Sequence, residues 1–126
     1  MKRKIEKTIS LINDIYANDN KPWFVAFSGG KDSTLVLLLI IEFIKKSNSL
    51  NKSINIVYCD TGVEIPVMHN YTIETLKRVE NFSKKNNYNV DVIITEPDIK
   101  DSFFVNVIGK GYVPPSFMFR WCTDRL

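Results

Sequence analysis

A hexapeptide with two glycines, Ser28–Ser33, stands between a short continuous apolar run, Trp23–Phe27, and a long apolar helical pattern, Thr34–Lys46. A continuous rather than alternating apolar run is typical of a strand that is buried on both faces of a parallel sheet. Gly29 and Gly30 allow the backbone to turn with positive φ and to approach a ligand closely. This strand–turn–helix unit constrains the chain to an α/β fold whose ligand crevice lies at the carboxyl end of the strand.

Periodicity along the rest of the chain repeats this alternation of strand and helix. The predicted elements, in chain order, are a helix at 3–17, a strand at 23–27, a helix at 34–46, a strand at 54–59, a helix at 67–86, a strand at 90–94, a short helix at 101–108, a loop at 109–119 and a further helix start at 120–126. Because the helix at 34–46 is apolar nearly all round between Leu35 and Ile41, we expect it to be largely buried. The order predicts an α/β fold, a Rossmann-like parallel sheet with right-handed crossovers and helices on both faces.

The length of 126 residues predicts a single domain over 1–126, since domains of about 100–150 residues are the commonest. On this length we expect neither a multidomain enzyme nor a TIM barrel. With 44% hydrophobic and 25% charged residues, the chain can bury a core. Only three strands are predicted, however, and this would leave the apolar strand at 23–27 on an exposed edge, where it could pair with another chain. We therefore expect an incomplete sheet, either because the chain is truncated at its C-terminus or because a homo-oligomer covers that edge.

Net charge and cysteine content limit the partners and the compartment. A formal charge of +3 is too small to predict nucleic-acid binding by itself. Two cysteines do not make a disulfide framework, and no cleavable signal peptide is visible. The longest apolar run is far shorter than the roughly 18 residues that a membrane span needs. We expect a cytoplasmic protein with reduced thiols and no membrane association.

The Ser28–Ser33 hexapeptide has the chemistry of an anion site. Free N–H groups at the start of the next helix, together with the helix dipole, favour a bound anion. Lys31 adds a mobile positive charge, and Ser28 and Ser33 add hydroxyl donors. Asp32 would repel a phosphate, so we expect it to cap the helix, to orient Lys31 or to hold Mg²⁺. The loop is neither a Walker A loop nor a GxGxxG fingerprint, because both spacings are absent.

The sequence Ser-Gly-Gly-Lys-Asp-Ser at 28–33 resembles the PP-loop of the ATP pyrophosphatase and adenine nucleotide alpha hydrolase superfamily. Its members include the phosphoadenosine phosphosulfate (PAPS) reductases, the tRNA-thiolating enzymes and GMP synthetase. The resemblance implies that the loop holds the pyrophosphate of ATP, or the phosphosulfate end of PAPS or adenylylsulfate, with Mg²⁺ as the accompanying cation. It also implies catalytic roles for Lys31 and Asp32.

A second motif, Asp60–Pro66, follows the second predicted strand and reads Asp-Thr-Gly-Val-Glu-Ile-Pro. The carboxyl ends of parallel strands share one edge of a sheet, so Asp60 and Thr61 are predicted to lie beside the phosphate loop. A carboxylate there can accept hydrogen bonds from ribose hydroxyls or an amine. Gly62 would supply an unusual φ, and Pro66 would start the next helix. The motif closely resembles the DTG-x-E-x-P segment that borders the nucleotide site in the PAPS reductase family.

The segment 120–126 reads Arg-Trp-Cys-Thr-Asp-Arg-Leu, and with the preceding 109–116 it resembles a region of DndC-like proteins of DNA phosphorothioation. Arg120 and Arg125 can bind a phosphate or sulfate bidentately, or they are surface cations. By resemblance, Cys122 is a candidate iron–sulfur ligand. A cluster needs about four cysteines, and this chain has two, so a cluster is expected only in a longer chain.

Two further residues are predicted to have structural roles. Cys59 lies within the second predicted strand, and we expect it to be a buried apolar filler. His69 is the single histidine and has no His/Cys cluster in the sequence around it. It is predicted to be a surface or helix-face residue rather than a metal ligand.

The resemblance leaves three functions open, all of which bind an adenine nucleotide at the phosphate loop. The first is a DndC-like ATP pyrophosphatase and sulfurtransferase, with a sulfur-donor protein fed by a cysteine desulfurase and a DNA phosphate as one acceptor. The second is a PAPS or adenylylsulfate reductase that works with thioredoxin. The third is a catalytically incomplete nucleotide-binding fragment.

Overall fold

The computed structural model describes residues 2–47, 51–116 and 118, in which helices alternate with the strands of a parallel sheet. The elements are α1 (Lys2–Ala17), β1 (Trp23–Ala26), α2 (Lys31–Lys46), β2 (Ile54–Cys59), α3 (Pro66–Asn86) and β3 (Val90–Thr95), followed by a 3₁₀ turn (Ile99–Asp101) and a π-helical turn (Val105–Gly109). The predicted α/β fold is confirmed. The short helix predicted at 101–108 is found in part: Ser102 interrupts it, Phe103 and Phe104 are α-helical, and the π-helical turn follows them. The segment 120–126 lies outside the described residues.

The three strands run parallel in the order β1-β2-β3, so β1 is an edge of the sheet in the described part of the chain. Trp23 pairs with Ile54, and Cys59 pairs with Thr95, which fixes the register of both strand pairs. Right-handed crossovers between strands in consecutive order place both crossover helices on the same face of the sheet.

The hydrophobic core lies between that face and the helices. The strands contribute Val25, Phe27, Ile54, Ile56, Tyr58 and Val90, and the helices contribute Ile9, Tyr16, Leu37, Ile40, Phe43, Ile44, Leu76 and Val79. Alternate strand residues point away from the helices: Phe24 is 66% exposed and Ile93 is 37% exposed. The predictions that the first strand is buried on both faces and that helices lie on both faces of the sheet are therefore wrong for the described residues, because the described helices cover one face.

The second helix is buried along one side only. Leu37 and Phe43 face the core, whereas Leu35, Val36 and Leu38 are all exposed. The predicted burial all round this helix is wrong, because no described element covers its outer side. Among the described residues, no helix has both the length and the apolar character that a membrane span requires.

A buried lysine holds the first helix to the start of β2. Lys52 is 6% exposed, and its Nζ donates to Asp19 Oδ1 at 2.8 Å and lies 4.5 Å from the centre of the Tyr16 ring. The Tyr16 hydroxyl accepts from the Lys52 backbone N–H at 2.9 Å and donates to the Lys52 carbonyl at 3.2 Å. This cluster lies at the amino ends of the strands, at the opposite end of the sheet from the phosphate loop.

The third helix is bounded as its sequence predicts and packs through one stripe. Pro66 occupies its first turn, where a missing N–H costs nothing, and Asn87 ends it in the left-handed conformation with φ of 53°. Its buried residues are Thr72, Leu76, Val79 and Ser83. Near the end of the helix, Ser83 Oγ lies 2.9 Å from the carbonyl oxygens of both Tyr88 and Val90.

Candidate functional site

The phosphate loop joins the carboxyl end of β1 to the first turn of α2. Phe27 donates its N–H to the Val57 carbonyl at 2.9 Å, which carries the β1 ladder to the start of the loop. Gly29 is buried with φ of +76°, a conformation that side-chain-bearing residues adopt at a cost of about 1–2 kcal/mol. The prediction that a glycine here takes positive φ is confirmed at Gly29.

The carbonyl of Gly30 points into the first turn of α2. It accepts from the Thr34 N–H at 2.9 Å, from Thr34 Oγ1 at 2.7 Å and from Ser33 Oγ at 3.0 Å. Helix α2 begins at the next residue, so the first N–H groups of the helix have no intrahelical acceptor. The loop thus presents donors to a ligand and withdraws the oxygen that would repel an anion.

The two serines of the loop contact each other. Ser33 Oγ accepts from the Ser28 N–H at 3.3 Å and lies 3.2 Å from Ser28 Oγ. The Ser33 hydroxyl therefore connects the two ends of the hexapeptide, and it also bonds to the Gly30 carbonyl. This arrangement holds the loop closed and leaves the Ser28 side chain exposed.

Lys31 and Asp32 are the first two residues of α2, and both side chains are exposed. The interpretation of Asp32 as the helix cap is wrong, because Gly30 occupies the N-cap position and Asp32 is the second residue of the helix. A carboxylate in the first turn still interacts favourably with the helix dipole. Both charged groups remain available to a ligand or a cation at the mouth of the loop.

The second loop begins with a turn that is closed by Asp60. Asp60 donates its backbone N–H to the Thr95 carbonyl at 2.8 Å, and its Oδ1 accepts from the Gly62 N–H at 2.9 Å. Gly62 has φ of +72°, as the turn chemistry predicts. The Thr61 hydroxyl lies 3.5 Å from Glu64 Oε1. Because β1 and β2 are neighbours and parallel, this turn follows the strand adjacent to the phosphate loop.

A histidine of α3 lies beside the second loop. His69 Nδ1 lies 3.4 Å from Asp60 Oδ2, and the imidazole ring lies 6.4 Å from the ring of buried Tyr58. Burial raises the pKa of the Tyr58 phenol above its ordinary value, and the charges of Asp60 and Glu64 raise it further. An open cleft of about 340 Å³ is lined by Asp60, Gly62, Glu64, Pro66, His69 and Asn70.

One helix contacts both loops. A Cβ atom placed on Gly29 would lie less than 3.0 Å from Thr72 Oγ1 of α3, while His69, one turn earlier, faces Asp60. Sequence reasoning did not identify either contact. The available signal was spacing: Thr72 stands in helical phase with buried Leu76 and Val79, so a polar side chain was placed on the packed side of the helix.

The remaining residues discussed in the sequence analysis lie outside the described residues or away from the two loops. Arg120, Cys122 and Arg125 lie outside the described residues. Cys59 is exposed at the end of β2, so its prediction as a buried filler is wrong. It lies on the uncovered face of the sheet, with Thr95 Oγ1 3.2 Å from its sulfur. Within residues 2–47, 51–116 and 118, no three His, Cys, Asp or Glu side chains converge as metal ligands.

Comparison with known proteins gives a family match and two relatives. Residues 22–110 match the family model of the phosphoadenosine phosphosulfate reductase domain. The uncharacterized protein MJ0066 of Methanocaldococcus jannaschii is 34% identical over 116 residues, which are 92% of this chain and 20% of that protein. The uncharacterized protein MJ0973 of the same organism is 28% identical over 122 residues, 94% of this chain and 25% of that protein. The chain thus spans a quarter or less of these relatives' length, and no solved structure matches it.

Proposed function

The chain belongs to the phosphoadenosine phosphosulfate reductase domain family, and from this premise we propose that it binds an adenine nucleotide with its phosphates on the Ser28–Ser33 loop. The observation that carries the proposal is the loop geometry. Gly29 is left-handed and buried, the Gly30 carbonyl bonds into the first turn of α2, and the first N–H groups of α2 have no acceptor within the helix. Backbone donors at a helix N-terminus are a general anion site.

Lys31 and Asp32 would have different roles at the mouth of the loop. The Lys31 ammonium, exposed at the first position of α2, would neutralise charge on a departing pyrophosphate, or on the phosphosulfate group of bound PAPS or adenylylsulfate. The Asp32 carboxylate suits Mg²⁺, which binds proteins through one or two carboxylates and completes its shell with phosphates and water. When bound, Mg²⁺ supplies charge neutralisation to the phosphate oxygens.

The finer proposal is that the nucleotide is ATP and that the reaction is sulfur transfer, as in the DndC-like proteins. ATP would be cleaved between the α- and β-phosphates, so that an oxygen of the acceptor gains the adenylyl group and pyrophosphate leaves. The terminal sulfur of a persulfide on a donor protein, charged by a cysteine desulfurase, would then attack the activated acceptor and release AMP. A second thiol would cleave the remaining S–S bond, which frees the thiolated acceptor and leaves a disulfide. The acceptor in this proposal is a DNA phosphate, an assignment that depends on the resemblance at 109–126.

The second candidate is reduction of PAPS or adenylylsulfate with thioredoxin, and the description of the matched family favours it. That reaction needs a cysteine nucleophile. Cys59 is exposed but lies on the uncovered sheet face, and Cys122 lies outside the described residues. An iron–sulfur cluster does not fit the two cysteines of this chain.

Calorimetry with ATP and with PAPS, each with Mg²⁺, tests the nucleotide site. We expect Lys31→Ala to weaken binding of either ligand at least tenfold, and Lys46→Ala, at the other end of the same helix, to leave it unchanged. Equal affinities of both variants and the wild type would contradict the loop assignment. Preference for PAPS over ATP would reject the sulfur-transfer proposal in favour of the reductase. Pyrophosphate release that depends on added DNA would support the DNA acceptor.

A further inference from the structure

Asp60, the carboxylate that the sequence offers to a nucleoside, is turned into its own loop. Its Oδ1 accepts the Gly62 N–H at 2.9 Å, and its Oδ2 lies 3.4 Å from His69 Nδ1. The Asp60 side chain is only 16% exposed, whereas the His69 side chain is 36% exposed. Both side chains line the open cleft, and the imidazole is the more exposed of the two.

The surroundings fix which imidazole nitrogen is free. A carboxylate beside Nδ1 favours the tautomer with its proton on that nitrogen, which leaves the Nε2 lone pair as an acceptor. The ring packs beside buried Tyr58, so its tilt is limited on the protein side. Asp60 thus orients His69, and His69 offers one hydrogen-bond acceptor to the cleft.

The cleft favours a ligand group that donates hydrogen bonds. Its charged or titratable lining residues are Asp60, Glu64 and His69. Two carboxylates disfavour a phosphate or sulfate and accept hydrogen bonds from a hydroxyl or an amino group. The part of a nucleotide that fits this chemistry is the nucleoside, through its ribose hydroxyls or its exocyclic amine.

The distance from the phosphate loop suits a nucleoside. Thr72, which abuts Gly29, is three residues after His69 on α3. Three residues of α-helix rise about 4.5 Å, so the imidazole stands roughly one helical turn beyond the contact with the phosphate loop. A nucleotide with its phosphates on the loop spans such an interval.

We infer that His69, held by Asp60, accepts a hydrogen bond from the nucleoside of the bound nucleotide through Nε2, and that it is a specificity-determining residue of the site. The inference rests on the proposed nucleotide binding. It assigns to Asp60 the role of positioning residue and to His69 the direct contact.

Two substitutions at His69 distinguish a direct contact with the nucleotide from a structural role. His69→Gln places a polar group near the position of Nε2, and His69→Asn places one near Nδ1. We expect His69→Gln to keep ATP affinity within about threefold of the wild type and His69→Asn to lose about tenfold, the size of one hydrogen bond. Thermal midpoints of both variants report on their folding. Equal losses of affinity in both, in step with their thermal midpoints, would assign His69 a merely structural role and overturn the inference.

Nucleotide analogues identify the donor. Calorimetry would compare ATP with 2′-deoxy-ATP, 3′-deoxy-ATP and the triphosphate of purine riboside, which lacks the exocyclic amine. We expect one analogue to bind the wild type about tenfold more weakly than ATP and to bind His69→Ala no more weakly than ATP. If every analogue loses the same factor in His69→Ala as in the wild type, the inference is wrong. A wild-type chain that binds no ATP would overturn the proposed function itself, whereas ATP binding that is insensitive to His69 overturns this inference alone.

Discussion

Gly29 and Thr72 touch across the boundary between the phosphate loop and α3. A Cβ atom at Gly29 would lie less than 3.0 Å from Thr72 Oγ1, and Thr72 is only 2% exposed. Gly29 also has φ of +76°. The loop therefore excludes a side chain at Gly29 for two independent reasons, backbone conformation and space.

Gly29→Ala separates these two reasons when it is compared with Gly111→Ala. Gly111 has φ of +70° but no heavy atom within 4 Å of an added Cβ, so it carries the conformational cost alone. We expect Gly111→Ala to lower the free energy of unfolding by about 1 kcal/mol and Gly29→Ala by about 2–4 kcal/mol, as measured by urea denaturation. Thr72→Ala in the Gly29→Ala background should recover part of the difference. Equal losses at the two glycines would show that Thr72 does not limit the space.

Ser33→Ala should weaken phosphate binding more than it weakens folding. Ser33 Oγ accepts from the Ser28 N–H and donates to the Gly30 carbonyl, so its removal opens the loop between its two ends. We expect pyrophosphate affinity to fall about fivefold to tenfold in calorimetry, since one or two hydrogen bonds are lost. Thr34→Ala is the matched control, because Thr34 Oγ1 bonds to the same carbonyl without reaching Ser28. A larger effect at Thr34 than at Ser33 would refute the role given to the serine.

Lys52→Met should destabilise the fold at the opposite end of the sheet. The ammonium loses Asp19 and the Tyr16 and Trp23 ring faces, while the methionine side chain keeps most of the apolar stem. We expect the free energy of unfolding to fall by about 1–2 kcal/mol. Lys84→Met removes an exposed pair with Glu80 instead and should cost about 0.5 kcal/mol or less. Indistinguishable thermal midpoints for the two variants would rule out a special contribution of Lys52.

Stability at acid pH should depend on Asp19. The hydrogen bond from Lys52 lowers the pKa of Asp19 below its ordinary value of 3.8, with the Lys21 N–H adding to the effect. The native chain then binds fewer protons than the unfolded chain, so this contribution is present above pH 3.8 and is lost as pH falls through the lower native pKa. Urea denaturation between pH 2 and pH 6 should show a shallower acid loss in Asp19→Asn. An unchanged pH profile would contradict this coupling.

The exposed strand edge should drive self-association of the 126-residue chain. Phe24 lies on β1 with 66% of its surface exposed, beside backbone groups that no described strand pairs. We expect Phe24→Lys to weaken self-association at least tenfold in sedimentation experiments, since charge on an edge strand opposes pairing. Leu11→Lys changes a residue that is 58% exposed on α1 and serves as the control. If both lysines act equally, general hydrophobicity rather than the edge is responsible.

The sequence predicts those features that depend on local pattern. The order of elements and the position of both loops follow from the apolar strand runs, the glycine turns and Pro66. These signals are readable because turn chemistry and periodicity act over a few residues. Phe24 and Cys59 were assigned to the wrong environment, since an apolar run does not reveal how many faces of the sheet are covered. The contacts of Thr72 and His69 were missed because they depend on where α3 crosses the sheet.

One consequence of the one-sided layering concerns the heat capacity of unfolding. A chain of 126 residues would ordinarily show an increment of about 1.5–1.9 kcal/mol/K, from about 12–15 cal/mol/K per residue. Phe24, Leu38 and Ile93 already meet water in the folded chain, so unfolding hydrates less new apolar surface. The heat-capacity increment of unfolding should lie below that range. The free energy of unfolding should therefore vary less with temperature than that of a domain of equal length with helices on both faces of its sheet.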